Sequence, residues 1–267
     1  MSDMSDIAAC AVCGSVLERV RYFPRQLLGA EDMRTEQDYF REKLRRHNRY
    51  LHGWGVVCGL NVQWLKTAKT WTVRVCPGYA VDPQGDEIAV DDCVDVDLTL
   101  GATPEPCTVR WPCPPTGQMP GTDRTGNATA YIAVRFAECQ TRPARVHPSG
   151  CGCDEALCEY SRIRDSYEVK VLWVLPDSHK QATLDDAAWC TELNTASAWS
   201  AVMKRRHQYP IPPCPQCVDD PWVVIATVRF PAKAAPTPNT MLDDLISTAN
   251  TRVLLSTQRL QVATVCT

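Results

Sequence analysis

The chain has 267 residues, of which 45% are hydrophobic and 22% are charged, so its composition is that of a globular protein with a sizeable core. The formal net charge of -3 excludes a generally basic surface for nucleic acid or anionic lipid. No stretch approaches the ~18 consecutive apolar residues of a membrane span. The mildly acidic start, MSDMSDIAAC, is unlike a secretory signal, so we expect cytoplasmic synthesis and assembly.

The first predicted element is a helix over residues 31–51. Apolar side chains recur along it at helical spacing, at Met33, Phe40, Leu44 and Leu51. Acidic residues near its start and basic residues near its end suit the helix dipole. We expect this narrow apolar seam to pack on the chain's own sheet, with a neighbouring subunit as the alternative.

Three glycines follow the helix within the apolar run LHGWGVVCGL. Neither a helix nor a regular strand favours Gly53, Gly55 and Gly59 so close together. Glycine permits a positive φ and a close approach of two backbone segments. The run therefore predicts a corner at which the chain leaves the helix and enters a sheet.

Residues 70–98 alternate with period two. In TWTVRV, Trp71, Val73 and Val75 share one face, and the segments YAVD, EIAV and VDVDL continue the pattern. Pro83 and Gly85 predict a turn in DPQGDE. Several short strands with turns between them indicate an antiparallel sheet that covers a core.

Taken together, these elements predict an α+β fold. The N-terminal charged helix is expected to pack on an antiparallel, β-sandwich-like domain with Cys/Pro-rich loops. Further strands are predicted at 128–136, 166–175 and 221–230, and further helices at 183–207 and 240–256. We divide the chain into a Cys-containing N-terminal segment (1–20), a helix plus β-hairpin domain (21–100), a Pro/Gly-rich connector (101–128), a second β-rich region with Cys-rich loops and a helix (129–230), and a C-terminal linker and helix (231–267).

Cysteine is unusually frequent, with 15 residues. Metal ligation needs thiolates that are close in sequence, so that one loop supplies two of four tetrahedral positions. Structural Zn²⁺ is therefore one interpretation of the two densest clusters, and disulfides or free thiols are the others. Cys58, Cys76 and Cys93 are expected to be buried small apolar residues. The candidate ligands are Cys151, Cys153, Cys158, Cys214 and Cys217.

Four stretches resemble a family of bacterial proteins from gene clusters for phage-tail-like contractile injection systems. They are RYFPRQLLGAEDMRTEQDYFREKLRRHNRYLHGWGVVCGLNV (21–62), PGYAVDPQGDEI (77–88), CGCDEALCEYSRIRDSYEV (151–169) and DPWVVIATV (220–228). The resemblance extends from Arg21 to Val228. It implies a structural part of a contractile particle: baseplate, spike surround, cap or fibre attachment.

Membership of that family implies other particle subunits as partners, a homo-oligomer, and release from the cell as part of the particle. The chain has no common hydrolase, metalloprotease or phosphate-loop motif, so we predict no catalytic residue and no enzymatic activity. We assign Arg45, Arg46 and Arg49 to the inter-subunit contact. The alternative is a free-standing zinc-binding or thiol-redox protein that uses the clustered cysteines.

Overall fold

A computed structural model describes residues 17–65, 71–98, 128–145, 158–195, 214, 218, 221–230 and 245–256. They form a mixed α+β fold with three antiparallel sheets, which confirms the predicted class. The chain divides into two compact units. The first contains the described parts of Met1–Trp54, Pro83–Asp86 and Pro176–Pro221, and the second those of Gly55–Asp82, Glu87–Leu175 and Trp222–Thr267.

The first unit is built around helices. Helix α1 spans Ala30–His47 and continues into a π-helical turn at Asn48–His52, which together match the predicted helix at 31–51. Helix α2 spans Asp177–Thr195.

The predicted start of α2 at Thr183 is wrong. The Pro176 carbonyl accepts the amides of His179 at 3.0 Å and Lys180 at 3.2 Å, and so begins the helix earlier. The Thr183 hydroxyl donates to the His179 carbonyl at 2.9 Å inside the helix. Threonine can bond backward in this way within a helix as well as cap its start. The predicted end of this helix, beyond residue 195, lies outside the described residues.

The described residues of the second unit form ten strands in three sheets, with orders β1-β4-β5, β2-β3-β6 and β10-β9-β7-β8. The strands are β1 Gly55–Gly59, β2 Val62–Trp64, β3 Thr72–Val75, β4 Gly78–Val81, β5 Glu87–Val90, β6 Val94–Asp97, β7 Ala128–Arg145, β8 Cys158–Leu172, β9 Val223–Phe230 and β10 Ile246–Ser247.

The core lies where the alternation predicts it. Trp71, Val73 and Val75 are buried on one face of β3, and Val96 of β6 is buried opposite Val73. Strand β9 is buried on both faces from Val223 to Val228. Such a strand has a continuous apolar sequence because neither side meets water.

The compact units are not the consecutive segments that the sequence predicted. Strand β5 contacts β7 and β8, and β1 contacts β9. Strands from the predicted 21–100 and 129–230 domains therefore belong to one unit, and the helices of both segments belong to the other. Most of the predicted connector, residues 101–127, lies outside the described residues.

The glycine corner is confirmed. Gly55 has a φ of 141°, and a Cβ there would lie 2.6 Å from the Arg252 carbonyl oxygen. Gly59 has a φ of 66°, and its Cβ would lie 2.3 Å from the Pro77 carbonyl oxygen. Only glycine combines this backbone conformation with such close contacts, so the corner depends on both residues.

The predicted C-terminal helix is wrong for the described residues 245–256, where the chain instead forms β10. Ile246 pairs with Val228, and Ser247 pairs with Thr227. The Thr251 hydroxyl donates to the Ile225 carbonyl at 2.8 Å. Pairing with the edge of β9 outweighs local helix propensity here, because propensity is a weak preference that tertiary contacts override.

Candidate protein–protein interface

Helix α1 is well formed at its start without a side-chain cap. The Gly29 amide donates to the Asp32 carboxylate at 2.8 Å, and the Met33 amide donates to the Gly29 carbonyl at 3.3 Å. Glu31 and Asp32 lie in the first turn, where negative charge is favourable. Local interactions therefore stabilise the first turn of α1.

The apolar seam of α1 is exposed. The exposed fractions are 47% for Met33, 60% for Phe40, 50% for Leu44 and 71% for Leu51. These residues are seven, four and seven positions apart, so they follow one face of the helical segment. Helix α1 and the sheets belong to different compact units, so the expected packing of the seam on the chain's own sheet stays a prediction.

The opposite face of α1 is the less exposed one. It carries Thr35, Tyr39, Glu42 and Arg46, all half-buried. Polar and charged groups on this face make their own hydrogen bonds and ion pairs, such as the 2.6 Å pair between Glu42 and Arg45. The helix thus turns its polar face inward and leaves its apolar face to solvent.

The segment before α1 adds further exposed apolar side chains. The Tyr22 hydroxyl donates to the Glu36 carboxylate, which fixes this segment against the helix. The Phe23 amide donates to the Gln26 side chain at 3.2 Å, and the Gln26 amide donates to the Phe23 carbonyl at 3.2 Å. We call the exposed set the N-terminal apolar surface; it comprises Tyr22, Phe23, Leu27, Leu28, Met33, Phe40, Leu44 and Leu51.

The arginines assigned to the interface lie in a different environment. Arg45 Nε lies 2.6 Å from Asp86 Oδ1, and the Arg45 side chain is 21% exposed. Arg49 is 8% exposed, and its guanidinium lies 5.1 Å from the centre of the Tyr50 ring. Arg46 is half-buried. Two of the three arginines therefore serve contacts within this unit, and the apolar side chains are the better candidates for an interface.

The turn at residues 83–86 anchors the end of α1. Asn48 Nδ2 donates to the Gly85 carbonyl at 2.9 Å. Burial by itself lowers the pKa of Arg45, but the hydrogen bond and negative charge of Asp86 outweigh it and raise that pKa above its ordinary value. Arg45 is therefore charged at any physiological pH, and Asp86 is its buried counter-ion.

The π-helical turn brings two histidines together. The Nε2 atoms of His47 and His52 are 3.2 Å apart, so in the neutral pair one ring donates and the other accepts. The five-residue spacing becomes a contact because a π-helix has more residues per turn than an α-helix. No pattern in the sequence predicts this π-helical turn.

The predicted zinc ligands are only partly described. Cys151, Cys153 and Cys217 lie outside the described residues, and only the backbone of Cys158, at the start of β8, is described. Cys214 is exposed. Within the described ranges, no group of three or more His, Cys, Asp or Glu side chains is arranged to hold a metal. The zinc site stays a prediction.

Cys58, Cys76 and Cys93 are not buried as expected: Cys58 and Cys93 are exposed and Cys76 is half-buried. A β-bulge between Val56 and Cys58 reverses the alternation, so Cys58 does not share the buried face of Val56. Cys139 of β7, by contrast, is buried and disulfide-bonded.

Comparison with models of known protein families and with curated protein sequences finds no match to this chain. Its resemblance to the injection-system family is therefore a basis for a proposal only. Among the helices that the structure describes, none has both the length and the apolar character needed to cross a membrane.

Proposed function

We propose that this chain is a non-enzymatic structural subunit of a phage-tail-like contractile injection particle, held to a neighbouring subunit through the N-terminal apolar surface. The observation that supports this most directly is the exposure of the apolar seam of α1. The sequence resemblance, which begins at Arg21 and so includes this surface, supplies the class of assembly.

An exposed apolar seam is costly for a protein that works alone. Soluble monomers rarely expose large contiguous apolar patches, and those that occur usually mark contacts with other molecules. Met33, Phe40 and Leu44 have the spacing of the anchor residues that a helix inserts into an apolar groove. A neighbouring subunit with such a groove would remove all three from water.

Charged side chains border the seam. Arg41 pairs with Asp38 at 3.0 Å, and Arg34 lies 3.8 Å from Glu31. An apolar centre with a polar rim is the usual arrangement of a protein interface. The rim favours a defined orientation of the partner, as the fixed geometry of a baseplate or cap requires.

The test is co-sedimentation of the tagged chain with particles from the source cells. Phe40→Glu/Leu44→Glu should reduce the particle-bound fraction by about tenfold or more, because two anchors become charged. The purified variant should keep the wild-type circular dichroism spectrum, because both positions are exposed.

Arg34→Glu is the matched control, since Arg34 is exposed on the same helix and lies off the seam. Arg34→Glu changes the net charge by as much as the double variant does. If charge alone reduced the particle-bound fraction, this control would show the same reduction. Wild-type particle binding by the double variant would refute the interface, and absence of the wild-type chain from particles would refute the function.

A further inference from the structure

Two cysteines lie opposite each other at the ends of paired strands. Strands β3 and β6 are antiparallel, with Arg74 opposite Asp95 and Val75 opposite Val94. The next position in this register places Cys76 opposite Cys93. Both are thiols in the structure and share a side-chain hydrogen bond.

Cys76 and Cys93 occupy a non-hydrogen-bonded position of the antiparallel pair. The Leu98 amide donates to the Trp71 carbonyl at 2.8 Å, so Trp71 and Leu98 form a hydrogen-bonded pair. Hydrogen-bonded and non-hydrogen-bonded pairs alternate along antiparallel strands. Cys76 lies five positions from Trp71, which places it in the other class.

The backbone of Cys76 agrees with this assignment. Its amide donates to the Asn61 carbonyl at 2.9 Å, on the side away from β6. In non-hydrogen-bonded pairs the Cα atoms are about 4.5 Å apart. Disulfides span Cα separations of about 4.4 to 6.8 Å, so a bond between these cysteines requires little backbone movement.

The pair is also accessible. Cys93 is exposed and Cys76 is half-buried, on the face that carries Arg74 and Asp95, whereas the buried face carries Val75. Burial and the neighbouring Cys93 raise the pKa of the Cys76 thiol. Cys93 is therefore the thiol that a reagent from solution meets first.

We propose that Cys76 and Cys93 form a reversible cross-strand disulfide by exchange with a small-molecule disulfide. The Cys93 thiolate attacks the reagent, whose sulfur–sulfur bond breaks and releases one small thiol. The Cys76 thiolate then attacks the Cys93 sulfur of the mixed disulfide and releases the second small thiol. The two cysteine protons end on the two released thiols, and the two electrons lost by the pair reduce the reagent.

This disulfide would tie the end of β3 to the start of β6. It would enclose β4, the turn at residues 83–86 and β5 in one covalent loop. A bond of this kind constrains the unfolded chain and so protects the sheet against unfolding. The inference is independent of the proposed function, since it rests on the strand register and on the accessibility of the two thiols.

The test uses the full chain, reduced, freed of reductant and incubated with oxidised glutathione. Trypsin alone is uninformative, because residues 75–110 contain no Lys or Arg before Arg110. A second cleavage after Glu87 separates Cys76, in peptide 75–87, from Cys93 and Cys107, in peptide 88–110, and fragmentation of the linked peptides assigns the bond to Cys93 or to Cys107. Thiols are alkylated before digestion, and the linked pair is quantified by mass spectrometry.

The linked peptides should become the main form of both cysteines and should separate again on reduction. Cys58, exposed on β1, is the control thiol and should carry mixed glutathione instead. In Cys76→Ser, Cys93 should also stop at the mixed disulfide. Formation in guanidinium should be slower by about tenfold or more, because unfolding removes the register.

Glutathione on Cys93 of the native wild-type chain without the linked peptides would overturn the proposal. Linkage of Cys76 or Cys93 chiefly to other cysteines would overturn it as well. Circular dichroism of Cys76→Ser establishes that the variant is folded, and the wild-type measurement decides the matter even if it is not.

Discussion

The two compact units differ in how far their apolar side chains are buried. In the second unit, Val73 and Val224 have no exposed surface, because strands cover one another across the sheets. In the first unit, α1 buries no residue, and Phe40 is 60% exposed. The second unit thus draws stability from its own core, whereas α1 is fixed by polar contacts such as the pair between Arg45 and Asp86. Its apolar face is exposed, as the proposed interface requires.

The largest expected effect comes from removing a side chain of the strand core. Trp222 is 1% exposed and packs with Ala133 and Val224, and the Arg135 guanidinium lies 4.6 Å from its ring centre. Trp222→Ala should lower the free energy of unfolding by about 3–5 kcal/mol, since it leaves a large cavity. Urea unfolding followed by circular dichroism measures the loss.

Phe40→Ala is the matched truncation in α1. Because Phe40 is exposed, this change should alter the free energy of unfolding of the isolated chain by less than about 0.5 kcal/mol. Equal losses for the two truncations would mean that the seam of α1 is buried in solution. The contrast between the units would then fail.

The next largest effect comes from the polar anchor of α1. Arg45→Glu places a carboxylate beside Asp86 and Glu42, and removes the positive charge that lies against buried Asp86. The loss of a buried partner costs about 3 kcal/mol or more. Thermal unfolding followed by the helical circular dichroism signal should show this destabilisation in the purified chain.

Arg34→Glu serves again as the control, with an expected change within about 0.5 kcal/mol, since exposed pairs contribute little. If Arg45→Glu leaves the isolated chain as stable as Arg34→Glu does, Arg45 is available for an inter-subunit role. The assignment of this arginine to the interface would then regain its support.

Local patterns predicted the second unit well where the backbone dictates them. Alternation identified the buried face of β3, and the glycines at 55 and 59 marked a corner that other residues could not form. In both cases the residue type is set locally: by the backbone conformation at the glycines, and by the buried face of the strand at the apolar residues. Such requirements are present in the sequence before any distant contact forms.

Patterns that depend on distant partners were not predictable. The 3.6-residue period groups Met33, Phe40 and Leu44 on one face, but it does not say what covers that face. Opposition of Cys76 and Cys93 depends on a pairing across two intervening strands, which spacing alone does not reveal. The same holds for β10, where pairing with β9 replaced the expected helix.

The smallest expected effect concerns an exposed ion pair with the same contact distance as the buried one. Arg74 Nε lies 2.6 Å from Asp95 Oδ1, as Arg45 Nε does from Asp86, but both side chains of the Arg74 pair are 42% exposed. The Arg74 hydrogen bond lowers the pKa of Asp95 below 3.8. A folded-state pKa below the unfolded one stabilises the fold above pH 3.8, and this contribution is lost as pH falls through the folded-state pKa.

Asp95→Asn should therefore lower the unfolding midpoint slightly at neutral pH, and the difference from the wild type should vanish in acid. High salt should also reduce the difference, because the pair is open to solvent. Unfolding scans of the wild type and of Asp95→Asn, from neutral pH to below pH 3.8 and with and without added salt, measure the difference between their midpoints. A difference that is independent of pH and salt would show that Asp95 acts through packing, and the two ion pairs would then differ in kind and not only in exposure.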